Sequence, residues 1–224
     1  MRRTLGRLAN RLLPGVTRVL LNARTLGFDH GQRLSRAVNA AGEPIPWYTY
    51  PAIEYLSQLD ARELSVFEFG TGSSSLFWAA RARQVFAVEN DPAWHARIAA
   101  QRPPNLQLYL REAKDGYVAC LAEQHERFDL IVIDGRWRRA CARLAPQHLR
   151  EGGLLVLDNT DWHPRTAADL RAAGFLQVDF SGFGPLNAYA WTTSLFLRAD
   201  TRLQRGFRSP LPIGGIRQHD AEDD

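Results

Sequence analysis

A glycine turn between two short apolar runs constrains the fold of this chain more than any other feature of its sequence. Residues 64–89 contain the apolar run 66–69, then Gly70-Thr71-Gly72 and three serines, then a segment with helical spacing and a second apolar run that ends on Glu89. A buried strand, a glycine turn and a helix form the first unit of a doubly wound sheet, and ligands bind where the turn meets the helix. The segment therefore predicts an α/β fold with a ligand site at the carboxyl ends of its strands.

The residue types in this turn indicate what it binds. Gly70 and Gly72 can adopt backbone angles that a Cβ would forbid, and they let a ligand contact the main chain. The serines at 73–75 can cap the helix, whose free N–H groups face a ligand. Glu89 ends the second strand about 20 residues after Gly70, where a carboxylate accepts both hydrogen bonds of a ribose diol. A nucleoside cofactor is predicted, and a glycine turn without a ligand is the alternative.

Two classes of cofactor use such a turn, and the sequence favours one of them. A dinucleotide site prefers G-x-G-x-x-G, but Ser75 occupies the third glycine position. The run Glu68-Phe69-Gly70-Thr71-Gly72 instead resembles motif I, E/D-x-G-x-G, of class I S-adenosylmethionine (SAM) methyltransferases. The resemblance implies that Glu68 and the two glycines line the methionine end of SAM and that Glu89 holds the ribose. The other predicted cofactor-binding residues are Thr71, Ser73, Asn90, Asp134 and, at the adenine edge, Glu112.

The order of elements agrees with this resemblance. Further apolar runs at 106–110, 128–134, 154–157, 177–180 and 190–197 predict strands, the turn 151–153 precedes the fifth strand, and 117–123 predicts a helix. No helix fits between the last two strands, so we expect an antiparallel hairpin. The predicted fold is Rossmann-like, with a seven-stranded, mostly parallel sheet, an antiparallel last strand and an N-terminal helical arm.

The resemblance covers about residues 64–198. E-F-G-T-G, V-E-N-D and L-D-N-x-D-W runs like those of this chain occur in uncharacterised bacterial members of the family. We expect an arm and lid at 1–60, a SAM-binding domain at 61–200 and a tail at 201–224.

Acidic residues end two neighbouring predicted strands. Asp134 closes the fourth, and Asp158 and Asn159 close the fifth. Two carboxylates and an amide oxygen suit Mg²⁺, and the layout resembles metal-dependent catechol-type O-methyltransferases, whose ion holds two substrate oxygens beside the SAM methyl. The predicted metal ligands are these three residues. The alternative is that the carboxylates cap a helix or bind substrate without metal.

The catalytic set departs from the catechol-type pattern at one position. Trp137 stands where those enzymes have a lysine. His163 is then the candidate general base because its ordinary pKa lies near neutrality. The predicted catalytic residues are Asp134, Asp158 and His163.

Aromatic residues flank the predicted domain on both sides. The segment 43–59 runs through prolines and aromatics into a short helix, and Trp47, Tyr48 and Tyr50 are candidates for a lid over the cofactor, or alternatively for packing at the sheet edge. A second group could wall an acceptor pocket: Trp137, Trp162, Phe183, Asn187, Tyr189 and Trp191.

The N-terminus is basic, with eight arginines and one acid in residues 1–36. Leucines and valines at helical spacing, divided by Pro14-Gly15, predict two short helices and no signal peptide. We expect a solvated arm packed on the domain, with peripheral membrane contact as the alternative. Two cysteines without ligand spacing indicate a reduced, cytoplasmic protein, and no apolar run approaches a membrane span.

The sequence thus predicts a SAM-dependent O-methyltransferase for a small-molecule or glycan hydroxyl, with or without Mg²⁺. The alternatives are a nicotinamide-dependent oxidoreductase and a non-catalytic docking protein with a SAM fold. No nucleic acid is expected as partner, because the N-terminal arginines are not interleaved with stacking aromatics and no N-P-P-Y-type motif follows the fourth strand. The oligomeric state is not predicted.

Overall fold

A computed structural model describes residues 23–203 and residue 213. The paired helices predicted in the basic arm up to residue 22, and nearly all of the tail, lie outside the described residues. The elements in chain order are α1 (Phe28–Leu34), α2 (Tyr50–Leu56), β1 (Ser65–Phe69), α3 (Ser73–Ala79), β2 (Gln84–Glu89), α4 (Pro92–Ala99), β3 (Leu106–Leu110), α5 (Lys114–Ala119), β4 (Phe128–Ile133), α6 (Arg138–His148), β5 (Leu149–Leu157), α7 (Pro164–Ala172), β6 (Leu176–Gly182) and β7 (Trp191–Leu197).

The strands form one sheet in the order β3-β2-β1-β4-β5-β7-β6. The strands β1 to β5 pair in parallel, whereas β7 is antiparallel to both of its neighbours, β5 and β6. The predicted seven-stranded sheet and its antiparallel last strand are confirmed. Because β1, β2, β4 and β5 are parallel, the residues that follow them meet at one edge of the sheet.

The central strands are apolar on both faces because helices cover both. In β4, Leu130 and Val132 face a layer that contains α2, α3 and α4. Ile131 and Ile133 face the opposite layer, which contains α5, α6 and α7. A strand buried on both sides needs this continuous apolar run rather than an alternating one. Cys120 and Cys141 are buried in the second layer as free thiols.

Two predicted elements differ from the structure by more than a residue or two at an end. The predicted turn 151–153 lies inside β5, because Gly152 adopts a φ of 78° and a register shift in the β4–β5 pairing keeps Leu149 opposite Phe128. A glycine at such a bulge lets the strand continue. The predicted helix 117–123 begins earlier, at α5, and a separate 3₁₀ turn follows at Ala122–Gln124.

The segment before α2 is fixed to the β6–β7 hairpin. The Thr49 backbone N–H donates to Thr193 Oγ1 at 3.0 Å, and Thr49 Oγ1 donates to the Phe180 carbonyl at 2.8 Å. The Tyr50 N–H donates to the Phe183 carbonyl at 2.7 Å. This segment therefore closes one side of the carboxyl edge.

Across residues 23–203, none of the helices has the length and apolar character needed to cross a bilayer.

Candidate functional site

A cavity of about 370 Å³ opens at the carboxyl edge of the sheet. Its wall combines the glycine turn, the ends of β4 and β5, the hairpin loop, the segment before α2, and one side of α4. The lining residues of the predicted site are Thr71, Gly72, Ser73, Asp134, Asp158 and Asn159.

Gly70 brings the turn against the next strand. Its φ is 102°, and a Cβ at this position would lie 3.0–3.2 Å from the backbone of Asp134 and Gly135. Only glycine fits this conformation and this close approach. Gly72 differs from the prediction, since its φ of 169° is extended backbone that other residues also adopt.

Glu89 holds the glycine turn through hydrogen bonds to Thr71. Its Oε2 accepts from the Thr71 N–H and from Thr71 Oγ1, both at 3.2 Å. Its Oε1 accepts from the N–H groups of Asn90 and Asp91 at 2.7 and 2.9 Å. The carboxylate is 7% exposed. The acid predicted to hold a ribose therefore lies directly behind the turn and determines its shape.

Glu68 lies beneath the turn rather than on the cavity wall. The side chain is 1% exposed and accepts a short hydrogen bond from Ser75 Oγ, which in turn accepts from the Gly72 N–H at 3.1 Å. Burial raises the pKa of Glu68 from 4.5 to about 7, although hydrogen bonds from Ser74 and Ser75 oppose this shift. Its role in the fold is to connect β1 with the start of α3.

Asn90 and Glu112 lie away from the cavity. Asn90 is half-buried and contributes its backbone N–H to Glu89. Glu112 is exposed, in the loop between β3 and α5. Neither of them lines the cavity.

Arg138 connects the ends of β4 and β5 through its whole guanidinium group. Nη2 donates to the backbone oxygen and to Oδ1 of Asp134, both at 3.0 Å. Nη1 donates to Asn159 Oδ1 at 3.0 Å and to the Asp158 carbonyl. Nε donates to the Gly135 carbonyl at 3.0 Å. The five donors of an arginine thus meet five acceptors.

Asp158 is held from the hairpin side. Its Oδ1 accepts from Thr193 Oγ1 at 2.5 Å and from Trp191 Nε1 at 3.0 Å. Burial raises the pKa of Asp158 from 3.8 to about 6, against the effect of the Thr193 hydrogen bond, Arg138 and Trp191. Burial and the nearby Asp158 raise the pKa of Asp134 well above its ordinary value, and Arg138 opposes them. The cavity floor therefore carries two carboxyl groups that bind protons more tightly than usual.

These contacts do not fit the predicted Mg²⁺ site. The guanidinium of Arg138 already binds Asp134 Oδ1 and Asn159 Oδ1, and its positive charge would repel a divalent cation. Asp158 Oδ1 is committed to two donors. No cluster of three or more His, Cys, Asp or Glu side chains suited to a metal occurs within residues 23–203. The observed contacts therefore do not support Asp134, Asp158 and Asn159 as metal ligands, because an arginine connects these strand ends.

His163 lies in a different groove from the two carboxyl groups. It precedes α7 and lines a depression with Lys114, Arg136 and Trp137, whereas Asp134 and Asp158 line the main cavity. Burial and the nearby Arg138 lower the pKa of His163. The structure therefore does not bring the three predicted catalytic residues together.

Comparison with solved structures identifies the fold of this chain. No protein-family model and no curated protein sequence matches the chain. A precorrin-6y C5,15-methyltransferase from Geobacter metallireducens is similar at a TM-score of 0.53 and 16% identity, over 65% of this chain and 86% of that one. The chain has a Rossmann-like methyltransferase fold. A precorrin 8W decarboxylase from Methanobacterium thermoautotrophicum has a TM-score of 0.49 and 17% identity, over 69% of this chain and 93% of that one.

In this chain, aromatic side chains line the cavity beside Asp134 and Asp158. Of the six residues proposed for an acceptor pocket, four line the cavity: Trp162, Asn187, Tyr189 and Trp191. Trp137 packs instead against Tyr117 in the second layer, and Phe183 is exposed outside the cavity. Gly184 lets the Trp191 ring pack directly against the hairpin loop, because a Cβ at residue 184 would overlap both Trp191 and the Tyr48 carbonyl.

The three candidate lid residues divide between the two roles considered. Tyr48 and Tyr50 are buried, and both belong to the first core layer. Trp47 is 42% exposed and lines the cavity. Only Trp47 is therefore placed to cover a ligand.

Several cavity residues were not predicted from the sequence: Ser35, Arg36, Trp94, Arg97, Gln101 and Arg138. Arg138 pairs with Asp134 four residues earlier, but the two lie on either side of a strand-to-helix turn, where helical spacing does not apply. Arg36 and the α4 residues carry no sequence signal either, since they meet only through the tertiary fold.

Proposed function

We propose that the protein is a SAM-dependent methyltransferase that acts on the hydroxyl group of a small molecule or glycan. One observation carries the proposal: the glycine turn held by Glu89 opens into the same cavity as Asp134 and Asp158. A cofactor turn and a proton-accepting group are thereby brought to one space, with aromatic side chains around it. The fold alone does not choose among reactions, so the argument rests on these residues.

The residues around the turn fit SAM. Gly70 allows the turn to approach the β4 end, and the backbone of Thr71 and Gly72 borders the cavity. Glu89 lies behind Thr71 rather than on the cavity wall, and its carboxylate would accept from the ribose diol in place of Thr71 Oγ1. Its bonds to the backbone N–H groups would keep the turn in place. When bound, SAM supplies an activated methyl group on a sulfonium.

Asp134 is the proposed acceptor of the hydroxyl proton. Its raised pKa makes it a stronger base than an exposed aspartate, and its side chain is 21% exposed at the cavity floor. Arg138 fixes one of its oxygens and leaves the other for an acceptor. Asp158 is held by Thr193 and Trp191 and orients the neighbouring wall.

The main contribution of this chain is alignment, because methyl transfer is an in-line displacement that depends on the approach geometry of the acceptor oxygen. Trp162 and Tyr189 are 55% and 49% exposed and offer flat faces against which a sugar or aromatic ring can pack. Such packing also excludes water from the reacting oxygen.

Calorimetric titration with S-adenosylhomocysteine tests the cofactor. We expect micromolar binding that Glu89→Ala abolishes and Glu89→Gln weakens, while Glu63→Ala, an exposed acid at the amino end of β1, leaves it unchanged. Circular dichroism establishes that each variant is folded. Absence of binding to the folded wild-type chain would overturn the proposal. Transfer of labelled methyl from SAM to a panel of hydroxylated small molecules and glycans then identifies the acceptor class.

A further inference from the structure

Three arginine side chains line the cavity, and they differ in their partners. Arg138 is bound to Asp134. Arg36 and Arg97 form no ion pair with any acid among residues 23–203 and 213. The floor of the cavity is therefore charge-balanced at Arg138, whereas its mouth carries two arginines that no described acid neutralises within ion-pair distance.

Arg36 and Arg97 converge on one wall although they are distant in sequence. The Arg36 guanidinium donates through Nη2 to Gln101 Oε1 at 2.9 Å. Gln101 lies one turn beyond Arg97 and donates through Nε2 to the Arg97 carbonyl at 3.3 Å. The loop after α1 and the end of α4 are thereby joined across the cavity mouth.

Arg97 is also connected with the cofactor turn. Its guanidinium carbon lies 5.1 Å from the ring centroid of Trp94. Trp94 Nε1 donates to the Thr71 carbonyl at 2.6 Å. A cation held over an aromatic ring keeps its charge and direction with less loss of side-chain freedom. Arg97 is thus placed beside the turn while its donors stay available.

We propose that Arg36 and Arg97 form an anion-binding subsite that holds a carboxylate or phosphate group of the acceptor. Guanidinium groups bind such anions through paired, charge-assisted hydrogen bonds. A neutral acceptor would leave both charges uncompensated at the mouth of a partly enclosed cavity. This inference rests on the proposed function, because it assigns the charge class of the molecule that the methyltransferase site receives.

The test compares a phosphorylated sugar with its neutral parent. The wild-type chain, with and without saturating S-adenosylhomocysteine, is titrated with glucose 6-phosphate, glucose and inorganic phosphate. We expect glucose 6-phosphate to bind about tenfold more tightly than glucose. Arg36→Ala and Arg97→Ala should each remove most of this difference, and Arg97→Lys should restore part of it. Arg102→Ala, an exposed arginine just beyond α4 that does not line the cavity, is the matched control for net charge.

Three other outcomes overturn the inference, and a fourth rejects the proposed function without deciding the subsite. If glucose 6-phosphate binds no better than glucose, there is no anion subsite. An equal loss in Arg102→Ala means that only the general positive field attracts phosphate. Loss of S-adenosylhomocysteine affinity with phosphate binding intact means that the arginines hold the amino-acid carboxylate of the cofactor instead. Failure of the wild-type chain to bind S-adenosylhomocysteine rejects the proposed function, while the phosphate titration still decides the subsite.

Discussion

Arg138 binds Asp134 twice, because Nη2 donates both to the backbone oxygen and to Oδ1 of that residue at 3.0 Å. The same guanidinium reaches Asn159 on the neighbouring strand. One cation thereby joins the ends of β4 and β5 and compensates the acid that faces the cavity. This contact decides how the carboxyl edge responds to pH, to metal ions and to substitution.

Replacing Arg138 with methionine should destabilise the protein more at pH 8 than at pH 5.5. Arg138 lowers the pKa of Asp134 against the effect of burial, so its loss raises that pKa further. A carboxyl group whose pKa is raised by folding contributes stability that is lost as pH rises. The variant's loss of unfolding free energy relative to the wild type therefore grows with pH. Urea unfolding at the two pH values measures it, with about 3 kcal/mol expected at pH 8.

Arg139→Met is the matched control for this substitution. Arg139 pairs with Asp169 at the surface and is 45% exposed, so its loss should cost under about 1 kcal/mol at both pH values. Equal, pH-independent effects of the two substitutions would contradict the assigned role of Arg138.

Metal ions should leave the protein unchanged. Because a guanidinium occupies the space between Asp134 and Asn159, excess Mg²⁺ should not raise the melting temperature, and EDTA should not alter the affinity for S-adenosylhomocysteine. Scanning calorimetry and titration calorimetry provide the two measurements. A Mg²⁺-dependent rise in melting temperature that disappears in Asp158→Asn would restore the metal site predicted from the sequence.

Glu68→Gln should flatten the dependence of stability on pH. Burial raises the pKa of Glu68 from 4.5 to about 7, so its contribution is fully present below about pH 4.5 and is lost as pH rises through 7. Glutamine stays neutral and can still accept from Ser75 Oγ. The free energy of unfolding of the variant, relative to that of the wild type, should rise by up to about 3 kcal/mol as the pH increases from 5 to 8.5. Parallel stability profiles in chemical denaturation would contradict this expectation.

The sequence predicted the scaffold because the scaffold depends on local patterns. The run 128–134 is apolar throughout, as a strand covered on both faces must be, and no helix fits before β7. The turn at Gly70 was also predictable, since its geometry excludes a side chain. These features are encoded in consecutive residues.

The cavity was less predictable because it depends on which side chains meet across the fold. Carboxylates at two strand ends suit either a metal or an arginine, and the spacing of Asp134 and Asp158 does not distinguish them. His163 follows β5 closely in sequence, yet it points into another groove. Arg36 and Gln101 are 65 positions apart in the sequence and meet only through the tertiary fold.

Thr193→Val should destabilise the protein by about 1–3 kcal/mol, because it removes a donor from the buried Asp158 and an acceptor from the Thr49 N–H. Thr192→Val is the control on the adjacent position, where the hydroxyl only pairs with Ser181 Oγ at an exposed site. Thermal unfolding of both variants compares them. A smaller loss in Thr193→Val than in Thr192→Val would show that Asp158 does not need this hydrogen bond.

The packing of Gly184 against Trp191 and the Tyr48 carbonyl has a practical consequence for redesign of the cavity. A library that randomises the whole hairpin loop would mostly sample chains in which Trp191 has lost its place beside Asp158. Diversity is better confined to Leu186, Asn187 and Tyr189, which face the cavity. New ligands could then be selected while Asp134 and Asp158 keep their geometry at the cavity floor.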